Sequence, residues 1–249
     1  MRKKYAYMAA ILLAFLAASV AFEILYAVPQ LVHGAMEQRP GAYAPLYLYQ
    51  YSPYDRIVLE VHCEQGITPN APALAHLQEL LENYTGRPVD LYTFRDINAS
   101  DVPWMADENN ISAFGSSFLQ EHARFHTGWL GGNATIYVLY VNAQGPLLHE
   151  NGTSSIAGVT YCADAFLLFK NNVRGAGLER TVLVHETGHL LGLDHDNDSG
   201  CAMVASLTQN RSIVQGLVSP PDDYCARHRA QLENERYHLI LGDGGQVVI

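Results

Sequence analysis

The chain begins with an almost unbroken apolar run from Tyr5 to Val28, in which Glu23 is the only charge. From Arg56 onward the pattern becomes short segments that switch between two periods. Ile57-Val58-Leu59-Glu60-Val61 reads as an apolar strand, and Ala71 to Tyr84 places apolar residues at helical spacing until Gly86 and Pro88 close it. Val89 to Phe94 alternates as a second strand, and Ser116 to His126 is a candidate helix beyond a polar stretch. Thr135 to Val141, continuously β-branched and aromatic, predicts the central strand. Ile156 to Tyr161 and Ala165 to Phe169 read as two more strands, and a helix carrying His185 follows. A last helix runs from Pro221-Asp222-Asp223, a proline and acids suited to a helix N-terminus, to about His238. Strands alternating with helices imply crossover connections and a mostly parallel sheet, an α/β fold (α+β by some schemes). Residues 29–55, rich in proline and tyrosine, look like a linker, which sets the expected domain at 56–249. The tail 242–249 is expected to be frayed or a short strand.

Residues 1–28 look like a membrane-targeting segment. Ala6 to Phe22 is short for a span of about 20 residues, whereas continuing to Val28 exceeds it. Ser19-Val20-Ala21 has the small-x-small form of a signal-peptide cleavage site, but the run is longer than a usual signal core, so an uncleaved anchor is the preferred expectation. Arg2, Lys3 and Lys4 would stay in the cytoplasm, leaving the domain membrane-anchored on the extracellular side, or secreted if the segment is cut. Glycosylation sequons at Asn83, Asn98, Asn110, Asn133, Asn151, Asn197 and Asn210 fit that placement. At 249 residues, 49% of them hydrophobic, the chain can bury one sizeable core. Its net charge of −10, with no basic stripe, argues against nucleic acid as a partner, and a monomer is expected.

The densest chemistry lies in residues 185–195, His-Glu-Thr-Gly-His-Leu-Leu-Gly-Leu-Asp-His. On a helix His185 and His189 fall one turn apart on one face, where two imidazoles can grip one cation with Glu186 beside it. Gly192 can take a left-handed conformation, end the helix and let the chain return with His195 as a third ligand. Three protein nitrogens suit a single catalytic Zn2+, because they leave the fourth tetrahedral position open. A buried helix whose histidines fall at this spacing by accident is the plainer explanation. At this chain's own residue frequencies, the five fixed positions match by chance on the order of once in ten thousand.

These residues resemble the metzincin clan of zinc endopeptidases, whose pattern H-E-x-x-H-x-x-G-x-x-H runs here from His185 to His195. Cys201-Ala202-Met203 then resembles the methionine turn beneath the metal, in the C-x-M form of adamalysins and archaemetzincins, and Asp196 also looks like the adamalysin version. The resemblance implies a metzincin-like catalytic domain: a twisted, mostly parallel five-stranded sheet, an active-site helix and a small C-terminal subdomain. By it, Ile156 to Tyr161 would be the antiparallel edge strand above the cleft, able to align an extended peptide. Met203 would support the metal site from below. Four cysteines in an exported chain permit three connectivities; a bridge between Cys201 and Cys225 is expected, with Cys63 and Cys162 a second pair or free thiols.

The expected reaction is hydrolysis of peptide bonds by zinc-activated water, with Glu186 as general base and a peptide or protein as substrate. Asp194 or Asp196 is the expected acidic support for the zinc histidines. His122 and His126, also one turn apart, lack a third ligand and read as surface residues. Asp194, Asp196 and Asp198 with Gly200 misplace the glycine and lack the last acid of a calcium loop. The competing function is a surface-anchored binding or adhesion module that keeps a structural zinc and cleaves nothing.

Overall fold

The structure is a computed structural model, and it describes residues 7–8, 11–18, 39–103, 108–128, 131–142, 156–205 and 219–237. The chain divides into two units, Met1–Glu37 and Gln38–Ile249. In the first, residues 7–8 and 11–18 are helical with their apolar side chains exposed, Phe15 by 78%. The remainder of the expected anchor or signal peptide lies outside the described residues. Among the described residues, no helix is long and apolar enough to cross a membrane.

The second unit is built on strands β1 (Tyr54–Glu64), β2 (Val89–Ile97), β3 (Gly132–Val141), β4 (Gly158–Thr160) and β5 (Ala165–Phe169). They lie in the order β2-β1-β3-β5-β4, with every pairing parallel except that of β4 with β5. This is the mostly parallel five-stranded sheet the residue pattern implied, and β4 is its antiparallel edge. Parallel strands need crossovers, and the crossover helices cover both faces, so β3 is buried along almost its whole length. Alternate residues divide between two cores: Ile136, Val138 and Tyr140 face one, Tyr137, Leu139 and Val141 the other.

Among the described residues, five α-helices accompany the sheet: α1 (Ala44–Leu48), α2 (Ala71–Thr85), α3 (Glu108–His122), α4 (Ala176–Leu190) and α5 (Ala226–Tyr237). α2 starts where expected and runs one residue past the expected end, because its ends are chemically marked. The Asn70 side chain accepts from Ala73 N at 2.9 Å, and Gly86 closes the helix in the left-handed conformation at φ 68°.

Three boundaries differ from expectation. Of the expected linker 29–55, the described residues 39–55 pack on the core: Tyr47 and Leu48 are fully buried, and the Tyr47 hydroxyl donates to Thr135 O at 3.1 Å. Their backbone is held by the Arg87 guanidinium, which donates to carbonyls of Tyr47, Tyr49 and Tyr54. Secondly, α3 starts at Glu108 and ends at His122, because the amides of Arg124 and Phe125 donate to the Glu60 carboxylate (2.9 and 3.0 Å) and leave the helix ladder. Thirdly, α5 begins at Ala226. Residues 221–223 are held instead by tertiary bonds, from Thr181 Oγ1 to Pro221 O (2.6 Å), from Ala202 N to Asp223 O (3.0 Å) and from the Tyr84 hydroxyl to Asp223 Oδ1 (2.6 Å). The expected tail 242–249 lies outside the described residues.

Candidate metal centre

Helix α4 carries His185 and His189 one turn apart, with ring centroids 4.8 Å from each other. Gly192 then ends it as its spacing suggested, at φ 80°. Gly192 N donates to His189 O (3.1 Å) and Leu193 N reaches back to Gly188 O (2.8 Å), the pair of bonds that satisfies the last carbonyls when a glycine turns left-handed. The chain reverses and brings His195 beside the other two, its ring 5.2 Å from that of His185 and 4.8 Å from that of His189. One nitrogen from each of the three lies within 4.8 Å of the others.

Hydrogen bonding settles which ring nitrogen of the first two is free. His185 Nδ1 lies 2.8 Å from Ala202 O, and His189 Nδ1 lies 3.0 Å from Leu193 O. A carbonyl only accepts, so both Nδ1 atoms carry protons and the neutral rings present Nε2 lone pairs. Those two atoms face each other at 3.2 Å. Burial depresses both imidazoles to about 4, so neither carries a second proton at neutral pH. Two lone pairs aimed at one point repel unless a cation lies between them, and a borderline-soft Zn2+ takes such nitrogens readily. The residues present therefore fit zinc.

The support expected from Asp194 or Asp196 is not used by these two rings. Backbone carbonyls take its place: Asp194 is exposed, and Asp196 turns toward other partners.

Glu186 is buried, and its carboxylate accepts a hydrogen bond from Thr160 Oγ1 at 2.8 Å. Burial raises its pKa above the usual carboxylate value, partly offset by the neighbouring His189 and Thr160. Met203 is fully buried, and its carbonyl accepts from Asp196 N at 2.8 Å, which ties the turn to the residue after His195. Ala202, between Cys201 and Met203, supplies the carbonyl that orients His185. The turn thus fixes one ring directly and steadies the loop bearing another.

A family model described as matrixin matches residues 104–225, a span that contains all three histidines, Glu186 and Met203. The archaemetzincin of Methanopyrus kandleri is similar in fold, with a TM-score of 0.51 and 14% identity over 73% of this chain and 96% of that one. The fold is metzincin-like, and the matrixin match covers the span that holds the site. An archaemetzincin from Archaeoglobus fulgidus also matches (TM-score 0.40, 17% identity, 71% of this chain, 99% of that one). So does a zinc-dependent peptidase from Methanocorpusculum labreanum (TM-score 0.42, 15% identity, 70% and 99%). A search of curated proteins gives no significant match.

The metzincin-like unit holds a second ligand cluster that the sequence reading missed. Asp196, Cys201, Cys225 and His228 each place one ligand atom within 4.8 Å of the others. His228 Nδ1 is 3.3 Å from Cys201 Sγ and 3.5 Å from Cys225 Sγ, and Cys225 Sγ is 3.3 Å from Asp196 Oδ2. Cys201 and Cys225 are neighbours as expected, but the expected bridge is not formed and both thiols are free. The two sulfurs converge on an imidazole and a carboxylate, a donor set that suits a closed tetrahedral metal site better than a crosslink. The local signal was Cys225-x-x-His228, the short spacing of two metal ligands on one helical turn.

Of the two alternatives for Cys63 and Cys162, a second pair or free thiols, the structure has free thiols. Cys63 lies in the core on one face of the sheet and Cys162 packs on the other. His122 and His126 join no ligand cluster among the described residues; His122 stacks on Phe118 at 4.5 Å.

Proposed function

We propose that this chain is an endopeptidase that cleaves internal bonds of a peptide or protein substrate, with zinc held by His185, His189 and His195. The observation that carries this reading is the facing Nε2 pair of His185 and His189, with a buried carboxylate next along the helix. Zinc bound there would polarise the scissile carbonyl and make water nucleophilic near neutral pH. Glu186 takes the proton of the attacking water and returns it to the leaving amine. Its burial favours the role, since a carboxylate poised nearer neutrality both accepts and donates. Met203 packs beneath the ligands as a soft, adaptable side chain. The outer edge of β4 has no strand partner among the described residues, so an extended substrate can pair along it and bring its carbonyl to the histidines.

In the same reading, the N-terminal segment anchors the chain in a membrane or is removed as a signal peptide, and the peptidase unit works on the extracellular side. The exposed apolar side chains of residues 11–18 support this. Asn133 is a poor glycan acceptor, because its Nδ2 donates to His126 O (2.9 Å) and Thr135 Oγ1 (3.3 Å).

The test is turnover of unfolded casein by wild type and Glu186→Ala, each with and without chelator. Chelator-sensitive cleavage by wild type, with a loss of about 10²-fold or more in Glu186→Ala at full zinc content, is expected. A zinc-loaded wild type that cleaves no peptide would support the binding-module reading instead.

A further inference from the structure

The base of the site is gripped by the sheet edge as well as by its own helix. Thr160 on β4 lies 2.8 Å from Glu186 Oε2 through Oγ1, and the same hydroxyl is 3.0 Å from the Glu186 carbonyl. Two residues earlier on that face of the strand, Gly158 leaves room for the same side chain. A Cβ added there would lie 2.6 Å from Glu186 Oε1, 2.8 Å from Cγ and 2.9 Å from Cδ. Val159, between them, packs against the opposite core, as strand alternation requires. Gly158 has no left-handed φ, so its lack of a side chain answers to Glu186 and not to backbone conformation.

We propose that Thr160 is a positioning residue for Glu186, and that Gly158 and Thr160 together fix the base to the edge strand rather than leaving it to helix α4 alone. This deepens the endopeptidase reading and rests on it. A glutamate has three side-chain torsions, and a helix fixes only where they begin. Packing at Gly158 limits the Cγ and carboxyl positions, and the threonine hydroxyl takes one carboxylate oxygen and leaves the other for proton transfer. The strand that grips the base also has an edge with no strand partner among the described residues, open to an extended substrate, so base and scissile bond share one reference frame. A displacement of about 1 Å in such an arrangement can cost as much as 10²-fold in rate.

Three variants separate positioning from bulk structure. Thr160→Val keeps the shape and removes the donor, Thr160→Ser restores the donor, and Gly158→Ala keeps the donor while crowding the carboxylate. Thr160→Val is expected to lower kcat about tenfold or more with KM and zinc content unchanged, Thr160→Ser to recover most of the loss, and Gly158→Ala to lower kcat as well. A second readout needs neither metal nor turnover. In the zinc-free protein, Thr160→Val should lower the urea midpoint more in the wild-type background than in the Glu186→Ala background, where only the bond to the carbonyl of residue 186 remains to be lost.

Equal urea shifts in both backgrounds would overturn the contact, and so the proposal. Wild-type kcat in Thr160→Val, or equal impairment of Thr160→Val and Thr160→Ser, would overturn the positioning role. If wild type itself cleaves nothing, the endopeptidase reading fails and takes the positioning role with it, even where the urea coupling persists.

Discussion

Gly188 and Met203 share one space: a Cβ built on Gly188 would lie 2.2 Å from the Met203 sulfur and 3.1 Å from Tyr224 Cε1. The second variable position of the H-E-x-x-H run is therefore set by the methionine turn packed against the helix. Gly188→Ala should gain about 1 kcal/mol of helix propensity and lose about 1–3 kcal/mol to overpacking in a buried site. A lower thermal midpoint is the expected net result, with weaker zinc retention because the turn also orients His185 through Ala202 O. Adding Met203→Ala should relieve part of the damage. A midpoint above wild type in the single variant would show that the sulfur moves aside freely.

The metal ligands make a sharper prediction. His195→Ala should lose zinc, because its ring completes the set with His185 and His189. Asp194→Ala should leave zinc content unchanged, since the Nδ1 protons of His185 and His189 rest on backbone carbonyls and not on acids. Dialysis against graded chelator followed by metal analysis compares the variants. Zinc loss in Asp194→Ala of the 10–100-fold size typical of an orienting partner would restore the acid to that role.

The sequence was most legible where one period or one chemistry dominated. β5 appears at its expected bounds, and β3 extends its expected run only at the start, because an uninterrupted β-branched and aromatic segment has few alternatives. The histidine triad was legible because helix geometry and one glycine bring it together within eleven residues. What stayed hidden depended on contacts between distant segments. α1 carries no periodic signal in five residues and is placed by Arg87 and Thr135. The first turns of α3 contain Asn109, Asn110 and Gly115, all weak helix formers, and Gly115 is there because the Tyr161 ring lies where its side chain would be. Thr160 could not be singled out as a partner of Glu186 until β4 was seen against α4.

His62 predicts a pH dependence of stability. It is fully buried between Glu60 Oε1 (3.0 Å) and Asp96 Oδ1 (2.9 Å), with Phe94 and Phe118 against its ring and Arg124 paired to Asp96. Burial alone would lower its pKa, but the hydrogen bonds and charges of Glu60 and Asp96 hold it above the ordinary value. A raised folded pKa means stability that is fully present below the unfolded value of about 6.5 and lost as pH rises through the folded pKa. The difference in thermal midpoint between wild type and His62→Gln should therefore be largest in mild acid and shrink toward alkaline pH. A difference that is flat from about pH 5 to 9 would mean that the folded ring titrates where the unfolded one does, so that Glu60 and Asp96 do not hold its proton.

The four-residue cluster predicts the metal content. Asp196, Cys201, Cys225 and His228 offer two sulfurs, a nitrogen and an oxygen within 4.8 Å, with Cys201 and His228 fully shielded from solvent. Four protein ligands close a tetrahedral site and leave no position for water, so a metal there holds structure and takes no part in turnover. It would join the loop after His195, the methionine turn and the start of α5, segments also linked by the Asp196 N to Met203 O hydrogen bond and the Arg227–Asp196 ion pair. Protein purified under reducing conditions should therefore contain two zinc ions per chain. Cys225→Ser and His228→Ala should each contain about one and unfold at lower temperature, whereas His195→Ala should lose the other ion and keep this one. Burial pushes the Cys201 thiol up to about 11, so without metal Cys201 should remain protonated and slow to alkylate at neutral pH, and metal should protect it further. A single zinc per chain, with Cys201 and Cys225 unreactive until a reductant is added, would mean that the two sulfurs bridge in the native protein and that the cluster holds no ion.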